Sequence, residues 1–135
     1  SACVIDLAKF SIGFNEGETC GKCTPCRIGL TLIRQKLDDI SEGRGKLEDL
    51  DKLQELCEEI SQTSLCGLGE TAPKAILTGL KYFRKEYERH IVDQVCDAAR
   101  CTGLYKYYVK EEDCVACGAC IKPCPTGAIT GELER

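Results

Sequence analysis

The stretch Glu18–Leu30 reads E-T-C-G-K-C-T-P-C-R-I-G-L and carries three cysteines at intervals of three residues. Thiolates at this spacing converge on one ligand from the same side, whereas disulfides usually join segments that lie far apart in a secreted chain. The two candidates for the group that these cysteines bind are a [4Fe–4S] cluster and a zinc ion. Zinc sites of four cysteines are usually built from two C-x2-C pairs, so a third cysteine in register favours the cluster.

The composition supports metal binding and excludes several other functions. Twelve of the 135 residues are cysteines, and most of them lie in closely spaced runs. The net charge is −4 without a continuous basic surface, which argues against nucleic-acid binding. No signal peptide is visible and no apolar run reaches the roughly 18–20 residues of a membrane helix, so we predict a cytoplasmic protein without direct membrane insertion. Methionine is absent and Ser1 opens straight into a helical pattern, so we expect a piece of a longer protein.

Helical periodicity predicts a mainly α fold, namely a small antiparallel four-helix bundle with short connections. The four predicted segments are approximately residues 3–14, 24–40, 47–60 and 71–91. Thr24 is a natural N-cap for the second segment, and Pro25 fits its first helical position. The side chains predicted to face the core are Val4, Leu7, Ala8, Phe14, Leu30, Ile33, Leu37, Ile40, Leu47, Leu50, Leu53, Cys57, Ile60, Ile76, Leu80, Phe83, Tyr87 and Ile91.

The three cysteines of the first run need a fourth thiolate from elsewhere in the chain. Cys66, within S-L-C-G-L-G at Ser64–Gly69, is the best candidate, because Gly67 and Gly69 allow the backbone to approach closely and to offer N–H groups. Both cysteine segments precede predicted helix starts. Two helix N-termini would therefore face one anionic cluster.

These residues carry a family resemblance. The paired motifs E-T-C-G-K-C-T-P-C-R-I-G and T-S-L-C-G-L-G resemble the iron–sulfur region of NADH-binding flavoprotein subunits, over roughly residues 3–91. Such subunits occur in respiratory complex I, in NAD(P)-linked and electron-bifurcating [FeFe] hydrogenases, and in NAD-dependent formate dehydrogenases. The resemblance implies a [4Fe–4S] cluster at one end of the bundle, with the ligands Cys20, Cys23, Cys26 and Cys66. It also implies FMN and NAD(P) only in a missing N-terminal part, since this sequence shows no glycine-rich nucleotide loop.

A second cysteine run distinguishes the branches of this family. Cys114–Pro125 reads C-V-A-C-G-A-C-I-K-P-C-P, the bacterial ferredoxin pattern C-x2-C-x2-C-x3-C-P, which predicts a second [4Fe–4S] site at Cys114, Cys117, Cys120 and Cys124. Hydrogenase subunits carry a ferredoxin-like domain at this place, whereas complex I subunits usually do not. In two-cluster ferredoxins the fourth cysteine serves the other cluster, and the second run is missing here. Either the chain is cut after Arg135, which we expect, or Cys124 closes the cluster locally, or the site is incomplete.

The helical pattern ends near residue 91, so we place a subdomain boundary at residues 91–96. This divides the chain into a four-helix iron–sulfur bundle, residues 1–91, and a zinc-linked, partial ferredoxin-like (α+β) domain, residues 92–135. Short strands are predicted at Lys106–Val109 and Ala128–Thr130, flanking the second cysteine run.

Four cysteines remain outside the two runs and Cys66. Cys96 and Cys101 follow His90, the single histidine, and together with Cys3 they form a set of three cysteines and one histidine, a common closed zinc site. This arrangement resembles that of hydrogenase-type relatives, in which a zinc ion links the bundle to the ferredoxin-like tail. The alternative is that His90 caps a helix C-terminus and the cysteines are merely buried. Cys57 lies on an apolar helical stripe and is interpreted as core.

The predicted function is electron transfer. The chain would pass single electrons between an FMN/NADH site and other iron–sulfur clusters of a multisubunit NAD(P)-linked oxidoreductase, with no catalysis of its own, because the cofactors carry the chemistry. Its partners would be other iron–sulfur subunits. The hydrogenase type is favoured, and the formate dehydrogenase and complex I types remain open. The alternatives are a non-redox zinc-binding interaction module, in which every cysteine group holds zinc, and a free-standing ferredoxin-like carrier.

Overall fold

The structure, a computed structural model, describes residues 2–105 and 109–130 and is mainly helical. Four long helices match the four predicted segments, which confirms the mainly α fold with four helices. A short fifth helix between the third and fourth of them was not predicted. In chain order the helices are α1 (Val4–Glu18), α2 (Thr24–Ser41), α3 (Glu48–Thr63), α4 (Gly67–Thr71) and α5 (Lys74–Val92). Single 3₁₀ turns follow at Thr102–Leu104 and Glu111–Asp113.

The four long helices enclose one apolar core. Helix α1 packs on α2 and α5, and α3 packs on the same two helices, which also contact each other. Burial of the apolar face of each helix supplies most of the free energy that stabilises it, because the intrinsic helix propensity of such segments is modest. The largest fully buried side chains are Tyr87, Ile5, Ile12, Leu30, Ile33, Leu37, Ile40, Leu50, Leu53, Ile60, Ile76 and His90.

The predicted core face of α1 was right for Ala8, which is buried, and for Val4, which packs against the core, but wrong for Leu7 and Phe14. Ile5, Ala8 and Ile12 are buried, whereas Leu7 is 56% exposed and Phe14 is 62% exposed. The helix carries apolar residues around much of its circumference, so its periodicity did not single out one face. Packing against α2 and α5 selects the stripe at positions 5, 8 and 12.

Three smaller differences affect α2, α3 and α5. Helix α2 begins at Thr24 itself, with Cys23 at the N-cap position that the sequence had assigned to Thr24. Leu47 lies just before α3 and is exposed. Phe83 has non-helical backbone angles (φ −127°, ψ 25°) that kink α5, and its side chain is 56% exposed although its spacing matches the buried Ile76, Leu80 and Tyr87.

The chain forms two compact units, Ser1–Tyr105 and Lys106–Arg135. Residues 92–105 therefore group with the helices, whereas the sequence had placed them with the tail. The buried side chains of Cys101 and Leu104 explain this grouping, because both belong to the core that the helices enclose. The segment lacks periodicity, so its pattern could not reveal this packing.

The second unit is built from turns over its described residues, 109–130. Successive backbone hydrogen bonds, such as Ile121 N–H to Gly118 O at 3.2 Å and Cys124 N–H to Ile121 O at 3.3 Å, fold the cysteine run. The predicted strand at Ala128–Thr130 is not formed, since these residues pair with no other described segment. Of the other predicted strand, Lys106–Tyr108 lie outside the described residues and Val109 is not in a strand. None of the helices in the described parts of the chain is long and apolar enough to cross a membrane.

Candidate metal centres

The first cysteine run occupies the connection between α1 and α2. Cys23 is the N-cap residue of α2, and Cys26 lies in the first turn of that helix. Gly21 has a positive φ of 70°, a conformation that glycine adopts without strain, and it turns the chain between the two helices. Burial increases along the run: Cys20 is exposed, Cys23 is half-buried and Cys26 is only 4% exposed.

The segment that carries Cys66 lies against this run. The backbone N–H of Leu65 is the largest cause of a lowered pKa at the Cys23 thiol, followed by the N–H of Cys26. Gly69 follows Cys66 by three residues. If it carried a Cβ, that atom would lie 3.3 Å from the Cβ of Cys26. Cys66 itself is exposed and is the N-cap residue of α4. The structure thus brings the two predicted cysteine segments together through the neighbours of Cys66.

The donors at this place fit a [4Fe–4S] cluster. Such a cluster takes four cysteine thiolates and accepts hydrogen bonds at its sulfurs. Two of the four cysteines are helix N-caps, where a negative charge is favoured. The buried Oγ of Ser64 has no hydrogen-bond partner among the described residues. This hydroxyl leaves no room for a side chain at Gly69, where a Cβ would lie 2.3 Å from it. A buried donor without an acceptor, in the segment that meets Cys26 at Gly69, suits an anionic sulfur-rich group.

The second group of predicted ligands converges in space. One ligand atom from each of Cys3, His90, Cys96 and Cys101 lies within 4.8 Å of the others, and Cys3, His90 and Cys101 are buried. The Sγ of Cys3 is 3.3 Å from the Nε2 of His90 and 3.8 Å from the Sγ of Cys101. These residues come from the N-cap of α1, the last turn of α5 and the segment before the 3₁₀ turn at Thr102–Leu104.

His90 is oriented for ligation by its own helix. Its Nδ1 donates a hydrogen bond of 2.7 Å to the carbonyl oxygen of Glu86, which leaves Nε2 directed at the thiols. A backbone carbonyl on the far nitrogen is a common way of fixing the tautomer of a metal-binding histidine. With three sulfurs and one nitrogen, the group has the donor set of a closed tetrahedral zinc site.

The protonation of this group also suits a cation. A hydrogen bond from the Cys101 thiol and contact with His90 lower the pKa of Cys3, against the effect of burial. The same contact with Cys3, together with burial, raises the pKa of Cys101. Burial opposes charge on His90, but its hydrogen bonds to Cys3 and Glu86 raise its pKa. A positive charge is therefore already favoured beside the Cys3 thiolate.

The third group lies in the second unit and is open to solvent. Cys114, Cys117 and Cys120 are exposed, and Cys124 is half-buried. The Thr126 hydroxyl and then the backbone N–H of Ile129 lower the pKa of Cys124 to about 7, which favours the thiolate form that binds metals. The twelve cysteines all lie within the described ranges, and none of them forms a disulfide there.

Cys57 stands apart from all three groups. Its side chain is fully buried on α3, and burial raises the pKa of its thiol to about 12, so it remains protonated and packs as a small apolar group. Cys57→Ala is expected to lower the free energy of unfolding by about 1 kcal/mol through lost packing. Chemical denaturation measures that change, and elemental analysis should find iron and zinc unaltered. A loss of either metal in this variant would make Cys57 a ligand.

Sequence reasoning missed two hydroxyl groups at the first site. Thr19 lies directly before the first cysteine, and its Oγ1 is 3.3 Å from the Sγ of Cys26. Ser64 lies two residues before Cys66, and its buried Oγ faces the same region. A hydroxyl residue just before each cysteine segment is the sequence pattern that could have indicated these two groups.

Comparisons with known proteins match both units. The family model described as "NADH-ubiquinone oxidoreductase-F iron-sulfur binding region" matches residues 6–90, and the model described as "4Fe-4S binding domain" matches residues 107–130. The chain is 46% identical to the NADP-reducing hydrogenase subunit HndC of Solidesulfovibrio fructosivorans over 98% of its own length and 27% of that protein. It is 43% identical to an NADH-quinone oxidoreductase subunit of Streptomyces coelicolor over 76% of its length and 23% of that protein.

A further relative comes from another class of oxidoreductase. The NADP(+)-dependent formate dehydrogenase subunit beta of Moorella thermoacetica is 37% identical over 58% of the chain and 11% of that protein. The chain thus spans about a quarter of the length of the first two relatives and less of the third.

Proposed function

The chain belongs to the NADH-ubiquinone oxidoreductase-F iron–sulfur binding family, and from this premise we propose that it is an electron-transfer module of an NAD(P)-linked oxidoreductase. The proposal rests on the close approach of two segments, the cysteine run at Cys20–Cys26 and the segment around Cys66. A [4Fe–4S] cluster supplies reversible one-electron transfer when it is bound. Acid, base or nucleophilic groups are not needed for such transfer.

We infer that Cys20, Cys23, Cys26 and Cys66 hold the first cluster at one end of an antiparallel four-helix bundle. Cys26 would anchor the buried side of the cluster, while Cys20 and Cys66 would face solvent or a partner. The N–H groups at the starts of α2 and α4 would stabilise its negative charge. The apolar core behind Cys26 would exclude water from one side, which is one of the factors that set a reduction potential.

Cys114, Cys117, Cys120 and Cys124 are proposed to hold a second cluster in a ferredoxin-like tail. Support comes from the match of residues 107–130 to a [4Fe–4S]-binding family and from the lowered pKa of Cys124. The turns of this run present the cysteines at the surface, where an electron can pass to a partner protein over a short distance.

Cys3, His90, Cys96 and Cys101 are proposed to bind Zn²⁺. Their four ligand atoms lie within 4.8 Å of one another, too close together to surround an iron–sulfur cube, and their donor set is that of structural zinc. The ion would carry no electrons. It would fasten residues 96–101 to the ends of α1 and α5.

The parent protein is proposed to be of the hydrogenase type, because the HndC similarity extends over 98% of the chain, including the tail. FMN and NAD(P) would bind elsewhere in that protein, and its partners would be other iron–sulfur subunits. Twelve free cysteines, eleven of them in the three proposed metal-binding groups, suit a reducing compartment, so we propose the cytoplasm.

Metal analysis tests the proposed function. The protein, purified without oxygen, should contain about four irons and four acid-labile sulfides for each intact cluster, together with zinc. Reduction should produce an EPR signal at low temperature. A colourless protein with zinc in all its cysteine groups, without iron or sulfide, would support the zinc-binding interaction module instead.

A further inference from the structure

Thr19 lies between the end of α1 and the first cysteine of the run. Its Oγ1 accepts a hydrogen bond of 3.3 Å from the backbone N–H of Gly21. The same oxygen is 3.3 Å from the Sγ of Cys26, within hydrogen-bond distance for a contact that involves sulfur. The hydroxyl is therefore held by the turn on one side and directed at a cysteine on the other.

The direction of the second hydrogen bond follows from proton counting. A cysteine that ligates a metal is a thiolate and carries no proton to donate. The hydroxyl of Thr19 has one proton, and its contact with Gly21 uses a lone pair and leaves that proton free. When Cys26 binds iron, Thr19 is the donor and the sulfur is the acceptor.

Of the three cysteines in this run, Cys26 is the one whose sulfur is affected most by a single hydrogen bond from the protein. Its side chain is only 4% exposed, whereas Cys20 is exposed. Water can solvate the exposed sulfur and weaken the effect of any protein donor. At the buried sulfur a protein hydroxyl meets little competition, and the low dielectric strengthens its electrostatic effect.

We propose that Thr19 is a positioning residue that raises the reduction potential of the bundle cluster by donating its hydroxyl hydrogen to the Sγ of Cys26. The inference rests on the proposed function, which makes Cys26 a cluster ligand. One-electron reduction breaks no bond and adds one negative charge to the cluster. The hydrogen bond withdraws electron density from the thiolate, so it stabilises the reduced form more than the oxidised form.

Three variants test this role. Thr19→Val removes the hydroxyl and keeps the shape of the side chain, and Thr19→Ser keeps the hydroxyl. Thr78→Val is the matched control, because the Thr78 hydroxyl contacts the carbonyl of Lys74 within α5. Midpoint potentials are measured by redox titration with chemical mediators, monitored by EPR, and the bundle signal is identified as the one missing in Cys66→Ser.

We expect the midpoint potential of Thr19→Val to fall, with reduction about tenfold less favourable, equivalent to about 59 mV for one electron. Thr19→Ser and Thr78→Val should stay close to the native value. A Thr19→Val protein with full iron and an unchanged potential overturns the inference and leaves the proposed function intact. Loss of the cluster in Thr19→Val but not in Thr19→Ser also overturns it, in favour of a role in assembly. A native protein without iron and sulfide overturns the proposed function and this inference together.

Discussion

Cys66→Ser is expected to remove the cluster held by the first cysteine run, with a loss of about four irons and four sulfides per chain. Cys66 is the one proposed ligand of this cluster that lies outside the run. The backbone of its neighbour Leu65 is hydrogen-bonded to Cys23, and a Cβ at Gly69 would touch Cys26. Three thiolates leave one iron of the cube without a protein ligand, and that iron is labile. Conversion to a three-iron cluster would be the partial form of the same loss.

Iron and sulfide analysis and low-temperature EPR measure this effect. The tail cluster provides an internal reference, since Cys66→Ser should leave its iron in place, and Cys57→Ala provides a cysteine variant with full metal content. Equal iron per chain and an unchanged spectrum in Cys66→Ser would exclude Cys66 as a ligand.

Cys101→Ser is expected to abolish zinc binding and to destabilise the helical unit. Its Sγ lies 3.8 Å from that of Cys3, across a separation of 98 residues in the chain. Removing a link that closes a loop of this length costs about 3–5 kcal/mol, the range for cross-links of comparable span. Zinc content should fall from about one ion per chain to none, and the bundle cluster should keep its iron.

Limited proteolysis locates the change in Cys101→Ser. Arg100 is exposed in the segment that the zinc would fasten, so trypsin should cut there faster in the variant than in the native protein. His90→Ala should have the same effect, because it removes the nitrogen ligand at the end of α5. A native protein that contains no zinc and yet resists cleavage at Arg100 would contradict the proposed site.

The sequence predicted those features that depend on local spacing. The four long helices follow from periodicity. The proximity of the two cysteine segments, which are distant in the chain, was predicted because a run of three cysteines needs a fourth thiolate from elsewhere. The convergence of Cys3, His90 and Cys101 was predicted from residue types, and their ligand atoms do lie close together. Whether zinc is the bound ion stays a prediction.

The features that were missed depend on packing between distant parts of the chain. In α1, Leu7 and Phe14 are as apolar as the buried Ile5 and Ile12, so only the position of the neighbouring helices decides which are covered. Residues 92–105 carry no periodic pattern, and their place in the first unit depends on burial of Leu104 and Cys101. The contact of Thr19 with Cys26 required the geometry of the turn at Gly21.

The separation of Cys3 from Cys101 also has a consequence for the order of events during synthesis. Cys3 leaves the ribosome 98 residues ahead of Cys101, and at about 5–20 residues per second this interval lasts roughly 5–20 seconds. Throughout that time the Cys3 thiol has no complete ligand set, and a zinc ion cannot be enclosed until all of the helices have emerged. Metal capture at the proposed site would therefore follow completion of the helical unit, and it would protect Cys3 from oxidation only after Cys101 has been synthesised.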